Sequence, residues 1–501
     1  MDKDYKARKE AFVSDLTGGD IMEINLVTLV APASVLLWSA LQSRRSFFTP
    51  YTAASLITDF LLNVMAILFA TTLYSSAPLL LNILLISPAV LILLGPKRTR
   101  GHQKAKPPRP PPAHDGAPEK PGQAADKLDP FPIHPFLTTY RAAMMVVTCV
   151  AILAVDFRVF PRRFAKVENW GTSLMDLGVG SFVFSAGVVS ARSILRSRTA
   201  PRWKTLPQRL VASVRHSIPL LVLGLIRLYS VKGLDYAEHV TEYGVHWNFF
   251  FTLGLLPPFV EIFHSLTAVI PSYEILALII AVAYQVALES TDLKAYILVS
   301  PRGPDFLSQN REGVFSFAGY LAIFLAGRAT GLRIIPRGTS PSKTPQQARK
   351  RVLLSLAIET LVWTVFFVLN SSHVFGYGAA IPVSRRLANM PYVLWVAAFN
   401  NAQILLFCLL ETVFFPSVHR APDRESEAER SAFATSRIMA AFNKNGLAIF
   451  LLANLLTGAV NLSMHTIDAS RMQAMAVLVG YAAVVTGVAL GLDVANVKLK
   501  L

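Results

Sequence analysis

Thirteen long apolar stretches alternate with charged segments along this 501-residue chain. A helix needs about 20 mostly apolar residues to cross the hydrocarbon core of a bilayer. Only 16% of the residues are charged and 53% are hydrophobic, whereas a soluble globular chain carries about 25% charged residues. We therefore predict an all-α polytopic membrane protein with about 13 transmembrane helices. The predicted spans are 22–42, 52–74, 76–95, 137–156, 170–192, 211–230, 247–270, 272–290, 313–330, 351–370, 391–415, 445–463 and 471–492.

The charges between these stretches predict how the chain is oriented. Cytosolic loops of membrane proteins carry an excess of Lys and Arg, and here the basic loops lie on the side opposite the N-terminus. They are 43–51, 96–136, 193–210, 331–350 and 416–444. The loops on the other side are poorer in basic residues. We expect a lumenal N-terminus and a cytosolic C-terminus, and an odd number of spans also requires the two termini to lie on opposite sides.

The whole chain, 1–501, is predicted to form one multi-span membrane domain. Residues 97–135 are Pro-rich and basic. They contain too few apolar residues to fold alone, so we expect a disordered cytosolic loop. The first 20 residues mix charged side chains with a few apolar ones, a pattern that indicates an amphipathic segment at the membrane interface.

Several classes of protein are disfavoured. The net charge of +17 comes from loops beside membrane spans, where anionic headgroups explain it, so no nucleic-acid partner is expected. Cys149 and Cys408 both lie in apolar stretches, which indicates reduced packing residues. The chain has no Gly-x-Ser-x-Gly elbow, P-loop, dinucleotide fingerprint or zinc-ligand spacing. A serine lipase and an ATP-driven pump are therefore disfavoured, and neither a metal nor a resident cofactor is expected.

One loop departs from the charge pattern. Loop 157–169 lies on the predicted lumenal side, yet it carries Arg158, Arg162, Arg163 and Lys166. Arginine forks pair well with phosphate oxygens, so Arg162 and Arg163 are candidates for holding a lipid phosphate. Asp156 and Lys166 bracket the loop and are candidates for a catalytic base and an electrophilic stabiliser. The alternative is that the cations reach toward headgroups and that Asp156 pairs with a neighbouring Arg.

The fifth predicted span begins with a small-residue face. Its small residues are Gly178, Gly180, Ser181 and Ser185. Such residues allow close helix packing, and they also leave space for a lipid tail beside the helix. Both interpretations stay open, and the second makes this face the candidate acyl-chain chamber.

Three further residues near the lumenal boundary are candidates for substrate binding. Asp176 is an intramembrane carboxylate, a type of residue that is usually functional or paired. Trp170 begins the fifth span and His246 begins the seventh. His246 is either a base or an interfacial anchor. Two glycosylation acceptor triplets, at Asn370 and Asn461, also end spans on the lumenal side.

Conspicuous segments of the chain resemble the fungal family of GPI-anchored wall transfer proteins, whose mammalian counterpart is the phosphatidylinositol-glycan class W protein. The similarity covers essentially the whole chain apart from the Pro-rich loop. The segments that carry it are 5–19, 23–25, 78–82, 156–180, 246–249, 386–392 and 453–458. The segment 156–180 is the most specific, and it includes Phe160-Pro-Arg-Arg-Phe-Ala-Lys166.

The acceptor triplets make the chain a candidate glycoprotein. The resemblance implies an endoplasmic-reticulum enzyme that acylates the inositol ring of glucosaminyl-phosphatidylinositol. The co-substrate would be acyl-CoA, typically palmitoyl-CoA, and no cofactor beyond it is implied. The resemblance also favours Asp156 and Lys166 as the catalytic pair, with roles that are exchangeable on sequence alone. The alternatives are a multi-span transporter of an anionic lipid or metabolite, and a membrane scaffold without a pocket.

Overall fold

The computed structural model describes residues 3–96, 128–199, 205–231, 240–337, 344–373 and 378–499. Every regular element in these ranges is a helix. Twelve helices of the described chain are long and apolar enough to cross a membrane, and one shorter apolar helix accompanies them. In chain order, spans 1 to 13 are Ile21–Arg45, Ala53–Thr71, Pro78–Leu94, Pro135–Ala154, Leu174–Arg198, Leu206–Tyr229, Phe249–Leu266, Tyr273–Ser290, Arg311–Ile334, Pro345–Ser371, Met390–Phe414, Gly446–Ser463 and Arg471–Val494.

The all-α polytopic prediction is confirmed, and each predicted window corresponds to one helix. Span 3 has 17 residues, which at 1.5 Å per residue is about 26 Å, slightly short of the hydrocarbon core. Small mismatches of this kind are accommodated by modest bilayer thinning. The Pro-rich loop lies mostly outside the described residues. At its described end, Pro130 accepts a backbone hydrogen bond of 3.0 Å from Arg337.

The loops sort into two faces by their mutual contacts. On the face that we name the N-terminal face, Gly19 N–H donates to Thr172 O over 2.8 Å and Val245 N–H donates to Gln309 O over 2.9 Å. The ranges on this face are 5–20, 72–77, 155–173, 240–248, 291–310, 378–389 and 464–470. The opposite C-terminal face comprises 46–52, 128–134, 335–337, 415–445 and 495–499. This grouping matches the predicted alternation of loops. Because 72–77 and 128–134 lie on opposite faces, span 3 must cross the bundle between them.

Polar side chains determine where several spans begin. Asn248 accepts hydrogen bonds from the first backbone N–H groups of span 7, and Ser173 accepts one from Asp176 N–H at the start of span 5. Thr344 and Ser470 form capping boxes at spans 10 and 13. Each cap satisfies N–H groups that have no partner inside the helix. The loops are thereby joined to the spans in a defined direction.

Spans 5 and 9 cross at very short range because glycines lie at their contact. A Cβ atom on Gly187 would lie 2.2 Å from the carbonyl oxygen of Phe324, and one on Gly327 would lie 2.1 Å from that of Phe184. Small residues allow helix backbones to approach closely in membranes. In the apolar part of span 9, 78% of the residues are buried, against 11% in span 6. Span 9 therefore lies at the centre of the bundle and span 6 at its edge.

We expect Gly187→Ala to destabilise the protein, because its methyl group would push span 9 away from span 5. Overpacking of this kind costs about 1–3 kcal/mol. The matched control on the same helix is Gly178→Ala, whose Cβ meets no atom within 4 Å. Thermal unfolding of the purified proteins in detergent should give a lower midpoint for Gly187→Ala only. Equal midpoints would contradict the close crossing.

Candidate functional site

The loop 155–173 is folded onto the N-terminal face by buried aromatic side chains. Phe157, Phe160 and Phe164 are fully buried. The backbone N–H of Glu168 donates to Leu16 O over 3.0 Å. Burial of aromatic rings contributes a large hydrophobic stabilisation, so this charged loop has a defined position instead of lying free in solvent.

Two glycines let the N-terminal segment and this loop cross backbone against backbone. Gly18 has φ +81° and Gly171 has φ +136°, and a Cβ on Gly171 would lie 2.1 Å from Thr17 O. Only glycine adopts such angles without steric cost. The helix Lys3–Val13 that precedes this crossing was predicted to lie at the membrane interface. Its Arg8 forms an ion pair of 2.5 Å with Asp468 on the same face.

Asp156 lies just after span 4 in a small polar cluster. Its Oδ2 accepts a hydrogen bond of 2.7 Å from the Asn461 side chain, and its Oδ1 lies 3.8 Å from Lys9 Nζ. Burial raises the pKa of the Asp156 carboxyl, and Lys9, Asn461 and Arg162 oppose that rise. A carboxylate whose pKa is raised toward neutrality suits proton transfer. Asn461 therefore contacts the candidate base through its side chain, while its glycosylation stays a prediction.

Lys166 belongs to a different cluster. Its Nζ lies 2.5 Å from Glu242 Oε1, and Glu242 also lies 3.3 Å from Arg385. Arg385 in turn donates from Nε to Asp176 over 2.5 Å. The cluster thus runs from Lys166, with 39% of its side chain exposed, to Asp176, with 1% exposed. Burial alone would raise the pKa of Glu242, but the cations Lys166 and Arg385 lower it to about 2.

Asp156 and Lys166 do not form an ion pair with each other, since each has its own charged partner on the described face. They lie at the two ends of one loop and share the N-terminal face. The prediction of a catalytic pair therefore needs a substrate that extends between the two clusters.

Arg162 and Arg163 are both engaged by the protein. Arg162 Nη2 donates to the carbonyl oxygens of Val155 and Phe160 over 2.8 Å each, and burial lowers the pKa of its guanidinium to about 10. Arg163 forms a two-pronged ion pair with Glu23, with contacts of 2.8 and 2.7 Å. These contacts hold the loop in place. Phosphate binding by the two arginines stays a prediction, and Nε and Nη1 of Arg162 are buried without a hydrogen-bond partner among the described residues.

The contacts of Trp170 and His246 are with residues outside the Asp156 and Lys166 clusters. Trp170 packs on a small apolar cluster that includes Tyr284 and Leu387. The backbone N–H of His246 donates to Asn310 over 2.8 Å, and its ring Nε2 lies 3.0 Å from the Gln309 side-chain oxygen. His246 therefore joins two loops of the N-terminal face.

The small-residue face of span 5 divides into packed and open positions. A Cβ on Gly180 would lie 2.4 Å from a methyl group of Val396, whereas one on Gly178 meets no atom within 4 Å. Ser181 and Ser185 are each 3% exposed. Helix packing thus explains three of the four positions. The acyl-chain chamber stays a prediction, and among these four residues only Gly178 has open space beside it.

Comparison with known proteins places the chain among its relatives. The sequence model of the GWT1 family matches residues 5–492. This chain belongs to the GWT1 family. It is similar to the GPI-anchored wall transfer protein 1 of Aspergillus oryzae, at 73% identity over 100% of both chains. The relative of the same name in Aspergillus fumigatus is 74% identical over 100% of this chain and 99% of its own. The one in Candida albicans is 38% identical over 100% of both chains.

Sequence reasoning missed several residues that complete the site of this GWT1 family member. Lys9, Glu242 and Arg385 all contact predicted site residues, and none was singled out as a site residue. A signal for Arg385 was present, because Arg385 and Arg386 also place positive charge on the predicted lumenal side. Arg386 contacts Glu312 over 3.2 Å and Asn169 over 2.6 Å, so it links the loop 155–173 to the start of span 9.

We expect Arg385→Gln to destabilise this GWT1 family member strongly, because Asp176 would keep a buried carboxylate without its cation. Removing one partner of a buried pair costs about 3–5 kcal/mol. Arg158→Gln is the control, since Arg158 is an exposed arginine on the same face of the bundle. The thermal midpoint and the yield of folded protein should fall for Arg385→Gln only. An unchanged midpoint would show that the pair carries little of the stability.

Proposed function

We propose that this protein is a membrane O-acyltransferase of GPI-anchor biosynthesis in the endoplasmic reticulum. It would transfer a fatty acyl chain, typically palmitoyl, from acyl-CoA to the inositol ring of glucosaminyl-phosphatidylinositol. The support is the family membership, the relatives named GPI-anchored wall transfer protein 1 and the sequence of the loop 156–169. The observation that carries the chemistry is a part-buried carboxylate and a part-exposed ammonium at the two ends of that loop.

The reaction requires an activated hydroxyl and a stabilised oxyanion. Asp156 takes the proton of an inositol hydroxyl, and the oxygen of that hydroxyl attacks the thioester carbonyl. The carbon–sulfur bond then breaks, the ester bond forms, and the thiolate of CoA leaves and receives the proton. Lys166 stabilises the oxyanion or binds the substrate phosphate through its part-exposed ammonium. Asp156 suits the base role because burial raises its pKa.

The neighbouring charges would set the working state of each group. Lys9 and Asn461 oppose the rise that burial causes in the pKa of Asp156, which favours the ionised form that a base requires. Glu242 directs the ammonium of Lys166 through their ion pair, and Arg385 contacts the same carboxylate and fixes its position. Lys9, Glu242 and Arg385 are therefore positioning residues in this proposal, and Arg162 and Arg163 hold the loop.

Asp156→Asn and Lys166→Gln should each lower acyl transfer about 100-fold or more, because one positioned acid–base group contributes about 10²–10⁴ in rate. The assay follows labelled palmitate from palmitoyl-CoA into glucosaminyl-phosphatidylinositol, with purified protein. Arg158→Gln should retain normal activity. Full activity in Asp156→Asn or Lys166→Gln, at normal protein level, would remove that residue from the chemistry. If wild-type protein moved the lipid between leaflets without acylating it, the transporter alternative would replace the enzyme.

Lys9→Gln should shift the acidic limb of the activity–pH profile to higher pH. Lys9 lowers the pKa of Asp156, so its loss raises that pKa, and the base then becomes ionised only at higher pH. The control is Lys294→Gln, a part-exposed ion-paired lysine elsewhere on the N-terminal face. A limb that stays in place in Lys9→Gln would argue against Asp156 as the titrating base.

A further inference from the structure

Two adjoining cavities open on the C-terminal face, opposite the Asp156 loop. The larger, named here the polar cavity, has a volume of about 630 Å³ and is lined from 128–135, 333–337, 345–352 and 418–431. The smaller, named the apolar cavity, has a volume of about 470 Å³ and lies between spans 8 and 10. Arg333 and Arg351 line both cavities. The two therefore form one groove with a polar and an apolar part.

The polar cavity has an excess of positive charge. Its basic lining residues are His134, Arg333, Arg337, Arg349, Arg351, His419 and Arg420, and its acidic one is Glu427. Three of the arginines have acidic partners within the protein; for example, Arg349 lies 2.9 Å from Glu411. Arg351 and Arg420 are exposed and form no ion pair with any described residue. An anionic ligand group is therefore the complement of this cavity.

The apolar cavity faces the surroundings of the bundle. Leu354 is 62% exposed and Ile358 is 53% exposed on the outer side of span 10, and only 17% of the apolar part of that span is buried. In a membrane-spanning chain this surface contacts lipid tails. The apolar cavity is lined by two acidic and two basic side chains, so its charges cancel. Arg333 forms ion pairs with both Glu274 and Glu359, and Arg351 adds the second positive charge.

We propose that this groove binds an anionic phospholipid of the leaflet at the C-terminal face. Arg351 and Arg420 hold the headgroup phosphate in the polar cavity, because arginine forks match phosphate oxygens. One acyl chain lies along Leu354 and Ile358 in the apolar cavity. The connection between a cationic and an apolar compartment favours a lipid over a small soluble anion. The groove is separate from the candidate catalytic loop, so this site is independent of the proposed function.

The test compares purified full-length protein in detergent with added phosphatidic acid or phosphatidylcholine. A ligand that binds only the folded state raises the thermal midpoint. Phosphatidic acid should raise the midpoint of the wild type more than phosphatidylcholine does. The Arg351→Gln/Arg420→Gln variant should bind phosphatidic acid about tenfold more weakly. Lys350→Gln, an exposed neighbour that lines neither cavity, should bind it normally.

A second variant tests the acyl-chain compartment. Ile358→Trp fills the apolar cavity from an exposed position, and it should weaken the binding of phosphatidic acid while leaving the lipid-free midpoint unchanged. Mass spectrometry of co-purified lipid should report less anionic phospholipid in both variants. The proposal is overturned by equal stabilisation from both lipids, by an equal loss in Lys350→Gln, or by normal binding in Ile358→Trp. It is also overturned if inorganic phosphate or soluble CoA displaces phosphatidic acid at matched concentration.

Discussion

The ion pair between Asp176 and Arg385 holds the N-terminal face together. Two charges removed from water are stable only when each has a close and well-oriented partner, and here they lie 2.5 Å apart with 1% and 4% of their side chains exposed. Asp176 also accepts a hydrogen bond from the backbone N–H of Val167, so the same carboxylate fixes the residue beside Lys166. Span 5, the loop before it and the loop before span 11 are thus joined at one point.

This arrangement gives the two faces of the bundle different physical characters. On the N-terminal face, cations and anions pair at short range, and aromatic side chains beneath them are fully buried. On the C-terminal face, the paired charges line open cavities that keep exposed arginines at their rim. The fixed charges of the N-terminal face suit a catalytic site, because aligned polar groups need little rearrangement when charge develops in a transition state. An open basic face suits the recognition of an anionic headgroup.

Much of the architecture was predictable from the sequence, since the length and polarity of each stretch reflect the bilayer directly. Span 9 has the lowest hydropathy of the twelve long spans in the described chain, yet the predicted window 313–330 still corresponds to it. Span 9 is less apolar because it lies inside the bundle, where glycines and paired charges replace contact with lipid. The loop 157–169 was also recognisable, because its charges oppose the positive-inside pattern.

The contacts within the site were less predictable. Asn461 contacts Asp156 across 305 residues of chain and Arg385 contacts Asp176 across 209, and no local pattern encodes such a pairing. Arg162 and Arg163 illustrate the consequence. Their charge predicts phosphate binding, which stays a prediction. The fold adds partners that no local pattern indicated, a backbone carbonyl for Arg162 and Glu23 for Arg163.

The sequence by itself determined that the chain crosses the membrane repeatedly, how its loops alternate, and which loop carries unusual charge. These properties follow from the composition of contiguous segments, because the hydrocarbon core selects on length and polarity alone. Only the tertiary structure decided which cation meets which anion, that Asp156 and Lys166 belong to separate clusters, and that a basic groove opens on the opposite face. Those outcomes depend on helix packing, which brings distant residues within a few ångströms and excludes the water that would otherwise screen their charges.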